Sequence, residues 1–211
     1  MGDPDAVEVI VADNGSTDRT AVIARDAGCR LAVTPVRRIG AVRNAGAAIA
    51  RGPILCFIDA DSQVHPDSFQ AVIRALASTK VVGGTSGVRL ERWSAGIAAT
   101  YALLVPMVWI TGFDIGVVFL RTPDFRAIGG YDESMLFAED VGFLLALRRH
   151  GRRTGRRLIR LRRIKAVAST RKFDEHGEWH YFSMMARAGL EVLRPGSAEA
   201  FADRYWYRPR R

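Results

Sequence analysis

Two carboxylates, Asp59 and Asp61, follow the short apolar run Ile54-Leu-Cys-Phe-Ile58 and stand two positions apart. Bounded on its other side by Arg51-Gly52-Pro53, that run predicts a buried strand of the parallel kind. Residues two apart on a strand share a face, so if strand geometry persists both carboxylates aim at one point past its C-terminal end. In open α/β sheets, that edge is where ligands bind. Neighbouring carboxylates repel unless a cation sits between them. Hard oxygen donors suit Mg²⁺ or Mn²⁺, which keep positions open for phosphate oxygens. The same residues also read as a plain turn, with Ser62 and Pro66-Asp67 starting the next helix.

Three other groups carry chemistry. Asp13 ends the strand-like run Val7-Glu-Val-Ile-Val-Ala12, on the same sheet edge, where a carboxylate can accept hydrogen bonds from a nucleotide base or ribose. Asp13-Asn-Gly is equally a strong turn signal. Glu139 and Asp140 open a helix whose last turn carries Arg148, Arg149 and His150. The helix dipole favours that polarity, and a general base that deprotonates an acceptor hydroxyl fits it as well. His176 and His180 share a helical spacing, but Gly177 lies between them and no further zinc ligands follow. Arg171 and Lys172 suit phosphate better.

The elements that must position these residues alternate. A strand at Val7–Ala12 leads to a helix through Arg25 with Ser16 or Thr17 as its cap. A strand at Leu31–Val33, a helix at Ala41–Ala50 and the Asp59/Asp61 strand follow. Next come a helix near Pro66–Ala77 and a strand from Val81 to Leu90. This alternation predicts an α/β sheet with helices on both faces. Ile97–Phe113 is 17 residues without a charge, shorter than the roughly 20 a membrane span needs, so a buried or interfacial helix is expected. Gly116–Leu120 reads as a strand and Gly129–Glu133 as a loop, and a helix runs from Glu139 to His150.

The 211 residues carry a net charge of +9, and the charge is local. Residues 148–172 hold twelve Arg and Lys and no acid; without those twelve the remainder is −3. Such a belt suits phosphates, an anionic membrane surface or nucleic acid, or is simply a solvated face in a chain with 28 Arg and 3 Lys. No aromatic residue lies between Phe143 and Phe173, so base stacking is poorly supported and nucleic acid is not expected as a partner. The acidic start and two cysteines, one in a buried strand, predict a cytoplasmic protein without a disulfide framework.

The order Val-Ala-Asp-Asn-Gly-Ser-Thr-Asp (11–18), Arg-Asn-Ala-Gly-Ala-Ala (43–48), Phe-Ile-Asp-Ala-Asp (57–61), Gly-Gly-Tyr-Asp-Glu (129–133) and Glu-Asp-Val (139–141) strongly resembles glycosyltransferase family 2. Ser169-Thr-Arg-Lys-Phe173 with Gly177-Glu-Trp179 looks like a subgroup of it. The resemblance implies the GT-A fold, with a mixed, mainly parallel sheet. It also implies an inverting single displacement from a nucleotide-diphospho-sugar donor to a hydroxyl acceptor. In that scheme Asp13 contacts the nucleotide base, and Arg38 or Arg43 lies near base or phosphates. Asp59 sits near ribose and metal, and Asp61 binds Mn²⁺ or Mg²⁺ directly. Asp140 is the base, with Glu139 beside it.

Domain boundaries follow as 1–168 for the transferase domain and 169–211 for a helical, basic tail packed on it. The acceptor's identity stays open; a lipid-linked one, met at the inner face of the membrane through the basic belt, is one expectation. Gly142 stands where the family commonly has an acid. The family's first strand–helix unit is not seen, so a truncated chain, weakly active or inactive alone, is expected. An inactive or regulatory nucleotide-sugar-binding fragment is the alternative.

Overall fold

In the computed structural model, which describes residues 7–111, 116–135, 138–179 and 182–183, the β-branched run near the start forms β1 (Ile10–Asp13). There follow α1 (Thr20–Asp26), β2 (Arg30–Val33), α2 (Ile39–Ile49), β3 (Ile54–Phe57), β4 (Ser62–Gln63), α3 (Ser68–Leu76) and β5 (Val81–Leu90). Then come α4 (Ala95–Thr111), β6 (Val118–Arg121), α5 (Thr122–Ala127), α6 (Glu139–Arg153), β7 (Arg157–Ala168) and α7 (Arg171–His176). The chain gathers into two compact units. One comprises Met1–Phe57, Phe69–Gly84 and Val118–Ile159; the other comprises Ile58–Ser68, Thr85–Val117 and Arg160–Arg211. Of the tail expected at 169–211, residues 184–211 lie outside the described residues, as does His180 of the His176/His180 pair.

In the first unit, β1 and β2 pair in parallel, Ile10 opposite Arg30 and Asp13 opposite Val33. The helix α2 packs on both. The cap expected for α1 from Ser16 or Thr17 is absent, because the Ser16 hydroxyl is taken by Asp13. The helix starts later, behind Arg19, with Asp18 Oδ1 accepting the Thr20 N–H at 2.9 Å. β3 is antiparallel to β6, with Ile54 opposite Arg121 and Phe57 opposite Val118, which corrects the parallel expectation. Burial pushes the Cys56 thiol on β3 up to about 12. β6 lies between β3 and β5, and β7 lies on the far side of β5. Phe119, Leu120, Leu144 and Leu147 are fully buried there. Arg121 holds the end of α3 by donating to Val81 O (2.7 Å), Ser78 O (3.1 Å) and Leu76 O. The far end of α6 is locked by Asp124, which takes a fork from Arg156 (2.6 and 2.8 Å) and bonds His150 Nε2 at 3.0 Å. Burial pushes that carboxyl up, but Arg156 and His150 outweigh it and hold it below the usual range.

In the second unit, β7 lies between β5 and β4, and Ser62 and Gln63 of β4 pair antiparallel with Ala168 and Val167. β5 and β7 run side by side in parallel. The Arg157 N–H donates to Lys80 O (2.9 Å) at their start, which belongs to the first unit, and the Glu91 N–H donates to Ala168 O (3.2 Å) at their end, which belongs to the second. β7 lies hidden inside the basic belt of the sequence. Its Leu158, Leu161 and Ile164 are half-buried and Ala166 is buried, while Arg157, Arg160, Arg162, Arg163 and Lys165 are exposed. The chain enters α4 through Ser94, and Ile97 and Thr100 are buried while Leu103 is exposed. Among the described residues no helix is long and apolar enough to cross a membrane.

Gly84 on β5 has no room for a side chain. A Cβ there would overlap Ile159 O and stand 2.7 Å from Phe119 Cζ. Gly84→Ala is expected to destabilise the fold by about 1–3 kcal/mol, the usual penalty of overpacking, read as a lower urea midpoint. An unchanged midpoint would show that β7 yields freely at this point.

Candidate functional site

The pair Glu139 and Asp140 forms the first turn of α6, where a helix N-terminus favours negative charge. The turn is entered through Ala138 in the left-handed region at φ 57°, a conformation that disfavours residues with a Cβ. Both carboxylates are largely buried, with side chains 10% and 17% exposed, and Arg43 from α2 lies between them. Its Nη1 bonds Asp140 Oδ1 and stands 3.6 Å from Glu139 Oε1. The same guanidinium lies over the Tyr131 ring, 5.2 Å from its centroid. One arginine thus serves two carboxylates and an aromatic face.

Asn44, the next residue on α2, fixes the loop that carries Tyr131. Its Nδ2 donates to Tyr131 O (2.9 Å) and Glu133 Oε1 (2.8 Å), and its Oδ1 accepts the Tyr131 N–H (2.8 Å). Gly130 makes this approach possible. It sits at φ 76°, and a Cβ would come 2.7 Å from Asn44 Oδ1. The Tyr131 ring stacks on Phe143 at 4.0 Å and 8°, and meets Phe57 edge-on at 5.2 Å. Burial pushes its phenol well above the usual range. The Arg43 charge pulls it down; Asp140 and Glu139 push it up.

Asp13 is buried at the end of β1 and accepts the Ser16 N–H (3.0 Å) and hydroxyl (2.5 Å). These bonds hold its carboxyl below the usual range; it is a turn-forming residue as well as a candidate for the nucleotide. Arg38 stands at the N-cap of α2. These residues belong to the first unit.

Asp59, Asp61 and Arg171 belong to the second. The strand ends at Phe57, and Asp59 to Ser62 is a turn closed by Ser62 N–H to Asp59 O at 3.0 Å. The strand alternation used to aim Asp59 and Asp61 therefore does not reach them, because Asp-Ala-Asp-Ser folds by turn chemistry. Both are exposed. Asp61 and Arg171 line one pocket of about 410 Å³ together with Ser62, Gln63, Glu91 and Ser169. Ser169 ties the turn down by donating its N–H to Asp61 O at 3.2 Å, and its Oγ accepts the Arg171 N–H at 3.2 Å. A carboxylate and a guanidinium thus share the lining of one space.

Sequence reasoning brings Arg43, Glu139 and Asp140 into view but assigns nothing to Asn44, Tyr131 or Glu91. Asn44 offers one signal, a polar residue of poor helix propensity inside an Ala-rich helix. Tyr131, like Asn44, stands inside a motif that carries the resemblance (Gly-Gly-Tyr-Asp-Glu, 129–133) but has no role attached to it there, and Glu91 offers no signal beyond its residue type.

Known proteins resemble this chain in sequence and in fold. The model of glycosyl transferase family 2 matches residues 3–111. Validoxylamine A glucosyltransferase of Streptomyces hygroscopicus subsp. limoneus is 26% identical over 194 residues, covering 70% of this chain and 42% of that protein. The structure of S. aureus TarS 1-349 superposes with a TM-score of 0.60 at 18% identity, over 93% of this chain and 59% of that one. The mannosyltransferase PcManGT of Pyrobaculum calidifontis, solved with GDP-Man and Mn²⁺, gives 0.61 at 20% identity, over 85% and 55%. At such identities the superpositions establish the shared fold, the GT-A class. The chain spans 42% to 44% of the length of the validoxylamine A glucosyltransferases it matches.

Asn44→Ala would leave the Tyr131 N–H and C=O and the Glu133 carboxylate without this partner. A stability loss of about 1–3 kcal/mol is expected, with faster amide hydrogen exchange at Tyr131 than elsewhere in the unit. Unchanged exchange at Tyr131 would mean that the loop is held by other contacts.

Proposed function

Because the chain belongs to glycosyl transferase family 2, we propose that it transfers a sugar from a nucleotide-diphospho-sugar donor to a hydroxyl acceptor by a single, inverting displacement. The observation that carries this reading is the Arg43–Glu139–Asp140 cluster at the start of α6. TarS has been solved with UDP-GlcNAc and PcManGT with GDP-Man and Mn²⁺, which supports a nucleoside-diphosphate sugar as the donor class here.

Asp140 takes the proton of the acceptor hydroxyl. The freed oxygen attacks the anomeric carbon from the face opposite the nucleotide, and the glycosyl–phosphate C–O bond breaks with its electron pair left on the diphosphate. Arg43 and Arg171 are cations suited to phosphate oxygens, with Arg38 a further one, and Asp13 serves the nucleotide base. Glu139 keeps the Arg43 guanidinium beside the base. Asp59 and Asp61 are hard oxygen donors at a turn, and among the described residues no group of three or more ligating side chains forms. Hard oxygen donors of this kind suit Mg²⁺ or Mn²⁺, which leave most positions to phosphate and water. Asp61, with Asp59 beside it, would hold the ion, whose chemistry when bound is to neutralise charge on the leaving diphosphate.

The test is nucleotide release from UDP-glucose, UDP-GlcNAc and GDP-mannose with Mn²⁺. Asp140→Asn is expected to lower turnover by roughly two or more orders of magnitude, the usual worth of a general base, with little change in donor affinity. Asp61→Asn should remove the Mn²⁺ dependence of UDP or GDP binding and leave the fold intact. Near-parent turnover in Asp140→Asn would return Glu139 and Asp140 to a purely helix-stabilising role.

A further inference from the structure

Tyr131 is 2% exposed, and its hydroxyl forms no hydrogen bond of good geometry among the described residues, although the Asp140 carboxylate stands close enough to act on it as an acceptor. Leaving a buried donor unpaired is destabilising, and folded proteins rarely do so. The ring has little freedom to carry the hydroxyl elsewhere. It is stacked on Phe143, crossed by Phe57 and flanked by Phe125, and its backbone is fixed at both N–H and C=O by Asn44. The charged groups that act on it are Arg43 from α2 and Glu139 and Asp140 from α6. With its ionisation pushed far up, the phenol keeps its proton throughout the working range and can act as a donor. The acceptors beside it are carboxylates.

Asp140 is meanwhile held by Arg43. An anionic diphosphate competes for that guanidinium through the same kind of charge-assisted bonds. Once it does, Asp140 loses a donor in a largely buried place, and the Tyr131 hydroxyl is the buried donor beside it. Resting on the glycosyl-transfer reading above, we propose that Tyr131 is a positioning residue. Its hydroxyl donates to the Asp140 carboxylate when Arg43 turns to the donor's diphosphate, keeping the base ionised and aimed.

Tyr131→Phe keeps the ring and removes only the hydroxyl. Because that hydroxyl makes no well-formed bond in the resting protein, the thermal midpoint of the variant should stay close to the parent's. Turnover in nucleotide release from UDP-glucose, UDP-GlcNAc or GDP-mannose should fall about tenfold or more, the worth of one bond to a charged group. The donor KM should stay within about twofold, since the lost bond acts on the base and not on donor binding. The acid limb of the kcat profile should move to higher pH, because a carboxylate that loses a donor is protonated more easily. A variant with parent-like kcat and an unmoved acid limb overturns this inference alone. So does a lowered midpoint with an unmoved acid limb, which would give the hydroxyl a structural partner. A parent that releases nucleotide from none of the three sugars overturns the transfer reading, and this inference with it.

Discussion

Two carboxylates in adjacent positions of one helical turn, both largely shielded from water, can coexist as anions only if a cation balances them. Arg43 is that cation. Its guanidinium bonds Asp140, lies near Glu139 and covers the face of Tyr131. The helix N-terminus adds a favourable field, but it is a partial charge against two full ones. The rest of the first unit can be understood as what brings the middle of α2 to the start of α6.

Neither helix is placed by its own propensity. α2 lies on the parallel pair β1 and β2, which sets the position of Arg43 and Asn44 together. Asn44 then draws in the Tyr131 loop, and the aromatic group of Phe57, Phe125, Tyr131 and Phe143 fills the space beneath it. At its other end α6 is fixed by Asp124, whose carboxylate takes Arg156 and His150 at once. Four leucine and phenylalanine side chains and two close-packed glycines on β5 set the spacing between. A helix held at both ends by charge and along its length by packing can keep a carboxylate within a narrow range of positions.

Where local chemistry and tertiary packing agree, the sequence is legible. β5 reads at its observed limits, and β1, β2, α2 and α6 fall within a few residues of their expected places. The first cap fails because Ser16 has a better partner in Asp13 than in the helix. β7 escapes the sequence reading because arginine fills so many of its positions that Leu158, Leu161 and Ile164 show no visible alternation. The direction of β3 is decided by its neighbour β6, more than sixty positions away, and no local pattern reports that. At the site, the carboxylates and Arg43 announce themselves by charge. The ring of Tyr131 and the amide of Asn44 act through geometry, which residue type alone does not encode.

If Arg43 is the counter-charge on which this arrangement depends, the parent and Arg43→Gln should differ in stability in a pH-dependent way. The measurement is the urea midpoint of both proteins from pH 7 down to about pH 4, near the carboxylate range. At pH 7 the variant should be the weaker by a few kcal/mol, about what removing one partner from a partly shielded ion pair costs. The gap should narrow as the unbalanced carboxylates take up protons. A gap of the same size at both ends of the range would mean that Arg43 matters for its packing alone, and would contradict the account.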